Sequence, residues 1–325
     1  MITRYIIHHI ALLDAVCLLL PLLLLCIGWR AMRRRRKCWG ACCIAVGCIA
    51  GSLYAYGRYF GSLQFEVRRV EFASADLPAA FDGYRIVQFS DAHLGAFAGS
   101  RQAYIRRVVD SINAQHPDMV VFTGDLQNIS FEEIEPHKQW LSRIEAADGV
   151  FSVLGNHDYA DYLLTDDPVE VNRQLGGSVG MHQELGWVLL RNSWRRVQRD
   201  SASIVIAGME NDGEGRFPGL GDHVKALYGL DREEFVVMLE HDPTSWQRRI
   251  LPHTHVQLTL SGHTHGGQIA LFGWSPAQLL YRQSCGMYYA GGRAIYVSKG
   301  LGGAIPWRIG VPGEIVVITL KTKKK

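Results

Sequence analysis

Apolar positions are spread unevenly along the chain, and their spacing changes character near residue 60. The stretch Tyr5–Trp29 is apolar apart from His8, His9 and Asp14, and Cys38–Gly57 carries no charge. Each is about the ~20 residues that cross a bilayer as a helix. The pattern predicts two spans, about 5–29 and 38–57, forming a transmembrane helical hairpin within residues 1–60. From residue 66 to 325 the pattern is that of a soluble domain. Glu66–Phe72 alternates charged and apolar residues, as a half-buried strand does. Tyr84–Ser90, Asp118–Thr123 and Gly149–Leu154 hold short apolar runs that read as buried strands. Ile105, Val108, Val109 and Ile112 recur at helical spacing within Arg101–Gln115, and a second helix is expected over Pro136–Ala147. Further apolar runs at Ser203–Ala207, Phe235–Leu239, Val256–Leu260, Ala294–Val297 and Glu314–Leu320 make the second half richer in strands. Strands alternating with helices imply an α/β sandwich with parallel crossovers. No linker or repeat divides residues 66–325, so one domain is expected there.

Charge fixes an expected orientation. Arg30-Ala31-Met32-Arg33-Arg34-Arg35-Arg36-Lys37 places six basic residues in eight between the two spans. A signal peptide carries its charges before the apolar run, whereas here they follow it. Loops rich in Lys and Arg stay cytoplasmic, so both ends of the hairpin, and the domain after it, are expected outside the cytoplasm. Arg4, Arg58, Arg68 and Arg69 weigh less strongly the other way. Gly47-x-x-x-Gly51 is expected to pack helix on helix within the hairpin, with dimerisation as the competing use. A net charge of +3 gives no basic face, so a nucleic-acid partner is not expected. Six of the seven cysteines lie before residue 60, which excludes a Cys-rich zinc module in the soluble part.

Polar clusters recur just after the apolar runs. They are Ser90-Asp91-Ala92-His93, Thr123-Gly124-Asp125, Gly155-Asn156-His157-Asp158, Glu240-His241-Asp242 and Gly262-His263-Thr264-His265-Gly266-Gly267. In open α/β sheets, sites form outside the carboxyl ends of the strands, so these five clusters are expected to converge. Asp91 and His93, like His263 and His265, are two apart, which on an extended chain points both side chains to one side. Gly124, Gly155 and Gly262 would let backbone approach a ligand closely. Asp91, His93, Asp125, Asn156, His241, His263 and His265 make seven donors, too many for one tetrahedral ion with an open position. If Asp125 bridges, the set divides into two divalent ions about 3.5–4 Å apart, a site that favours a phosphate group. Mixed imidazole and carboxylate donors suit manganese, iron or zinc.

The ordered motifs Asp91-x-His93, Gly124-Asp125, Gly155-Asn156-His157-Asp158, His241 and Gly262-His263-Thr264-His265 resemble the calcineurin-like metallophosphoesterase superfamily. The likeness spans roughly residues 66–320. Phe81-Asp82-Gly83-Tyr84-Arg85-Ile86, His263-Thr264-His265-Gly266-Gly267-Gln268 and the glycine-rich stretch from Lys299 to Gly313 resemble its membrane-associated bacterial branch. The resemblance implies a β-sandwich flanked by helices and a location in a bacterial inner membrane. It implies one metal held by Asp91, His93, Asp125 and His265, and another by Asp125, Asn156, His241 and His263. It also implies that His157 is catalytic and faces the leaving group. Many relatives carry an Asp three residues after the bridging Asp; Asn128 stands there in this chain.

The expected activity is hydrolysis of a phosphate mono- or diester. About eight residues, Arg58–Phe65, separate the second span from the first strand, which points to an amphiphilic substrate such as a phospholipid; an anchor that only localises the enzyme is the competing account. The alternatives are a cytoplasm-facing pyrophosphatase of a nucleotide-linked lipid and an inactive metal-binding interaction module.

Overall fold

The computed structural model describes residues 2–323 except Leu164, Asp166, Arg216 and Ala304, and describes side chains from Ala11 onward. The side chains of Arg4, His8 and His9 therefore lie outside the described residues. Helix α1 (Ile2–Arg33) and helix α2 (Lys37–Tyr59) form an antiparallel pair. Both are long and apolar enough to cross a bilayer, and their leucines face outward rather than into a protein core. A Cβ on Gly47 would come 3.0 Å from the Pro21 carbonyl oxygen, so Gly47 serves packing within the hairpin, while Gly51 has room to spare. Asp14 accepts a 3.0 Å hydrogen bond from the Tyr54 hydroxyl across the pair, which satisfies its carboxylate inside the hairpin.

Twelve strands follow among the described residues. They are β1 (Phe65–Ser74), β2 (Arg85–Phe89), β3 (Met119–Thr123), β4 (Val150–Val153), β5 (Val188–Leu189), β6 (Ser193–Arg199), β7 (Ala202–Gly208), β8 (Val236–Leu239), β9 (Leu258–Ser261), β10 (Gly286–Ala290), β11 (Arg293–Val297) and β12 (Gly313–Thr322). They build two six-stranded mixed sheets, in the orders β1-β12-β2-β3-β4-β5 and β10-β11-β9-β8-β7-β6. The two sheets face each other across a core that includes Phe72, Ile86, Val121, Leu239, Leu260 and Ile318. Helices α3 (Gln102–Asn113), α4 (Lys138–Leu141) and α5 (Pro168–Glu184) cover the outer face of the first sheet. Trp246–Ile250 covers the outer face of the second. The architecture is thus a β-sandwich flanked by helices. Strands β2, β3 and β4 are buried on both faces, which is why they read as continuous apolar runs rather than as alternation.

Two expectations about elements change. The helix foreseen over Pro136–Ala147 is confined to Lys138–Leu141. Asn113 takes the backbone groups that would have continued it, donating to the Arg143 carbonyl at 2.7 Å and accepting from the Glu145 amide at 3.1 Å. Helix α5 was not foreseen. Three glycines (Gly176, Gly177, Gly180) and few apolar residues hide its period, but Asp167 caps it through the Val169 amide at 3.0 Å and Pro168 opens its first turn.

Candidate metal centre

Strands β2, β3 and β4 run parallel, as do β7, β8 and β9, and the carboxyl ends of five of these strands meet at one edge of the sandwich. Gln88 ties the sheets together beneath that edge, donating to the Ser261 carbonyl at 2.9 Å. Asp91 and His93 follow β2, Asp125 follows β3, Asn156 and His157 follow β4, His241 follows β8, and His263 and His265 follow β9. All eight residues predicted from the sequence are brought together, and most are almost wholly buried.

The local backbone is not the one the spacing suggested. Asp91 (φ 48°), His93 (φ 44°), Asp125 (φ 62°), His263 (φ 73°) and His265 (φ 53°) are left-handed, not extended. Sharp turns, not strand alternation, therefore bring each Asp-x-His or His-x-His pair to one side. Each such residue stores about 1–3 kcal/mol of strain, offset by the buried hydrogen bonds around it. His263 N–H donates to Asp91 Oδ1 at 2.9 Å, and Asp91 N–H to the Gly124 carbonyl at 2.9 Å. The glycines serve as expected: a Cβ on Gly262 would lie 2.3 Å from Asp91 Oδ2, and one on Gly155 2.2 Å from Asp125 Oδ1.

Two overlapping groups emerge. In one, His265 Nε2 lies 3.6 Å from Asp91 Oδ1, and His93 Nε2 lies 3.6 Å from Asp125 Oδ2. In the other, His241 Nε2 is 3.2 Å from Asp125 Oδ2 and 3.2 Å from Asn156 Oδ1, which is 2.8 Å from His263 Nδ1. Ligand atoms of Asp91, His93 and His265 fall within 4.8 Å of one another, as do those of His93, Asp125 and His157 and those of Asp91, Asp125 and His241. Neighbours set the tautomers. The Thr123 carbonyl, 2.7 Å from His241 Nδ1, takes the proton there and leaves the Nε2 lone pair facing inward. Tyr281 Oη sits 3.3 Å from His263 Nε2, leaving Nδ1 to face Asn156. Both ring nitrogens of buried His93 and Nδ1 of His265 have no hydrogen-bond partner among the described residues. Buried donors with inward lone pairs and no partners fit a cationic centre.

The electrostatics agree. Burial pushes Asp91 up to about 7, although the His241 charge opposes it. Burial acts the same way on Asp125, but His241, His157 and His93 outweigh it and hold that carboxyl well below its ordinary range. Burial would lower His241, yet Asp125 raises it to about 10. Burial takes His93 down to about 3 and His263 to about 4, and lowers His265 and His157.

His157 stands beside this cluster. Its Nδ1 is 2.6 Å from the backbone carbonyl of Asn128, so the main chain, not the Asn128 side chain, orients the ring. Glu133 fixes that peptide by accepting from the Ile129 amide at 3.2 Å, and from the Asn128 amide at 2.6 Å. Asp158 does not orient the ring: its carboxylate accepts from the amides of Asp125 (2.8 Å), Leu126 (3.0 Å) and Gly155 (2.9 Å) and staples the two loops together. Sequence reasoning missed Tyr162, whose ring stacks on His157 at 3.7 Å and whose hydroxyl accepts from Asn156 Nδ2 at 2.8 Å. It also missed Tyr281 and the wholly buried Arg308. Tyr162 follows the Asn156 cluster by six residues, but no motif marks it.

A cavity of about 260 Å³, lined by Glu214, Thr244, Gln247, Arg248, Leu280, Tyr281 and Arg282 among others, adjoins the cluster through Tyr281. Comparison with known proteins gives one consistent result. The calcineurin-like phosphoesterase family model matches residues 84–267. The metallophosphoesterase YkuE of Bacillus subtilis is 32% identical over 86% of this chain and 94% of its own length. A transmembrane protein with metallophosphoesterase domain from Danio rerio is 32% identical over 84% of this chain and 61% of its own. The UDP-2,3-diacylglucosamine pyrophosphatase LpxG of Chlamydia muridarum is 26% identical over 74% of this chain and 84% of its own.

Proposed function

The chain belongs to the calcineurin-like phosphoesterase family, and on that premise we propose that it hydrolyses a phosphate mono- or diester at a centre of two divalent cations. Asp91, His93, Asp125 and His265 would hold one cation, and Asp125, Asn156, His241 and His263 the other. The observation that carries this reading is the meeting of Asp125 Oδ2, Asn156 Oδ1 and the lone pair of His241 Nε2 within 3.2 Å contacts. Two acceptor oxygens that close on one buried imidazole nitrogen call for positive charge among them, which a cation would supply. Divalent cations held by these residues would neutralise charge on a phosphate group and lower the pKa of bound water.

The chain's own residues do the rest. Asp158 and the glycine turns hold Asp125 and Asn156 in place, and Tyr162 turns the Asn156 amide so that its oxygen faces inward. His157, fixed through Nδ1 by the Asn128 carbonyl, leaves Nε2 free to face the site, and only its protonated form would supply a proton there to the departing oxygen. Chelation followed by return of manganese, iron or zinc singly, with hydrolysis of aryl phosphate mono- and diesters as readout, tests the reading. Activity restored by at least one metal is expected; full activity of the chelated protein overturns it.

The apolar helices and the transmembrane relative support a membrane location. The basic turn Arg33–Lys37 supports a catalytic domain outside the cytoplasm. A second reading, a cytoplasm-facing pyrophosphatase of a nucleotide-linked lipid, is favoured by the likeness to LpxG. A reporter active only outside the cytoplasm, fused after Lys325, separates the two: signal supports the first, and silence with a cytoplasmic reporter active supports the second.

A further inference from the structure

Between the metal-centre loop and β10 the chain exposes a run of large apolar side chains. Phe272 is 100% exposed, Leu280 80%, Leu279 76%, Leu271 65% and Trp274 51%. The tip is a closed two-residue turn: Leu271 N–H donates to the Trp274 carbonyl at 2.9 Å, and Trp274 N–H to the Leu271 carbonyl at 3.1 Å. Both central residues are left-handed, Phe272 at φ 52° and Gly273 at φ 81°. Such a turn favours Asn or Asp at its first central position. A bulky aromatic there is conformationally costly, and in water its ring gains nothing in return.

The two ends of this segment have different anchors. At one end, Ile269 pairs with Ile309, and the Ala270 amide donates to the Ile309 carbonyl at 2.8 Å. Ile309 in turn packs on the end of α2: a Cβ on Gly57 would lie 2.9 Å from its Cγ1, and Arg308 N–H donates to the Gly57 carbonyl at 3.2 Å. Tyr59 and Phe60, 63% and 65% exposed, mark that helix end with the aromatic residues typical of a membrane–water boundary. Phe272 is three residues beyond Ile269, at most about 10 Å of chain. At the other end, Tyr281 touches His263, and Leu280 lines the cavity that also holds Arg248 and Arg282.

We propose that the segment Leu271–Leu280 inserts into the bilayer in which α1 and α2 are embedded, and that it is the rim over which a bilayer-borne phosphate ester reaches the metal centre. The apolar tip enters the acyl region beside the α2 boundary. The cavity, whose wall holds Arg248 and Arg282 with Glu214 and where Arg248 also pairs with Asp212 at 3.2 Å, then receives the head group, its charge met chiefly by Arg282, while the acyl chains stay in the bilayer. The proposal deepens the phosphoesterase reading and rests on it for the identity of the scissile group.

The test uses the full chain in phosphatidylcholine vesicles and has two arms. In the first, a fluorophore on Phe272→Cys, with the native cysteines replaced by alanine, is exposed to lipids brominated in their acyl chains. Quenching at 272, and none for the same label on Val224→Cys, is expected; equal quenching at both sites, or none at 272, overturns insertion. In the second, a variant with Leu271, Phe272 and Leu279, none of which lines the cavity, all changed to Ser is assayed on two esters with one reacting group, ethyl and hexadecyl 4-nitrophenyl phosphate. The variant is expected to lose about tenfold or more of kcat/KM on the hexadecyl ester and to match the unsubstituted protein on the ethyl ester. Equal losses on both, or no loss on either, overturn the access role. If the unsubstituted protein hydrolyses neither ester, the phosphoesterase reading is what fails, and the quenching arm still decides insertion.

Discussion

His157 sits next to a ligand candidate without belonging to the ligand set, and its environment defines what removing it does. Its Nδ1 is engaged by the Asn128 carbonyl, its ring is clamped by Tyr162, and burial lowers its pKa. As a proton donor it loses function as pH rises through that lowered pKa, so the alkaline limb of the rate profile should begin below the ordinary histidine value of about 6.5. His157→Ala should cost about 10²–10⁴ in turnover, abolish that limb and leave bound metal unchanged. The loss should shrink for esters with good leaving groups. Because the contact is a main-chain carbonyl, Asn128→Ala should keep both the rate and the limb, and a large loss would show that the side chain matters after all. At this scale the sequence named all eight residues that meet, because each carries donor chemistry directly after a strand. The left-handed turns at Asp91, His93, His263 and His265 were not legible, since nothing in an Asp-x-His string separates a turn from an extended pair.

Among the elements, the glycine-rich loop before β12 joins the membrane helices to the metal centre. Arg308, wholly buried, donates from Nη2 to the Lys299 carbonyl at 2.8 Å, from Nε to Gly302 at 3.1 Å and from Nη1 to Val311 at 3.3 Å. This planar fork holds Gly302 where its own backbone amide reaches the Asp91 carbonyl at 2.7 Å. A Cβ on Gly302 would lie 2.3 Å from the Ala92 carbonyl oxygen. Arg308→Met should therefore destabilise the fold by about 3 kcal/mol or more, leaving carbonyls buried and unpaired. Metal should also bind more weakly. Arg308→Lys should rescue little, because a point charge cannot replace the fork; thermal denaturation with metal analysis checks both. The glycine-rich composition of this loop was visible in the sequence, but its purpose was not, because Arg308 acts through main-chain carbonyls. The strands at the sheet centres were legible as apolar runs, whereas β6, with Arg195 and Arg196 exposed at a sheet edge, carried no such signal.

For the whole molecule, acid stability follows from groups buried without charge. His182 lies against Phe122 and Trp187, both its ring nitrogens have no partner among the described residues, and burial lowers it to about 3. Between about pH 6.5 and 3 the unfolded chain binds a proton there that the folded chain refuses. Stability should thus fall as pH falls through that window, by up to about 1.4 kcal/mol per pH unit from this residue. His182→Leu should flatten the difference between denaturation midpoints at pH 7 and pH 5, and an unchanged difference would assign the loss elsewhere. The division into an apolar hairpin and a strand-rich remainder was plain from hydropathy alone. The arrangement of two facing sheets came from the family resemblance, because short buried strands do not reveal their partners. The account as a whole turns on Asp125, whose Oδ2 lies near both His93 Nε2 and His241 Nε2. The most direct test is elemental analysis of purified protein and of Asp125→Ala, with hydrolysis of an aryl phosphate ester measured on the same samples. Two metal ions per chain with turnover, and loss of both in the variant, is the result the account predicts. Undiminished turnover by Asp125→Ala with its metal intact would contradict it.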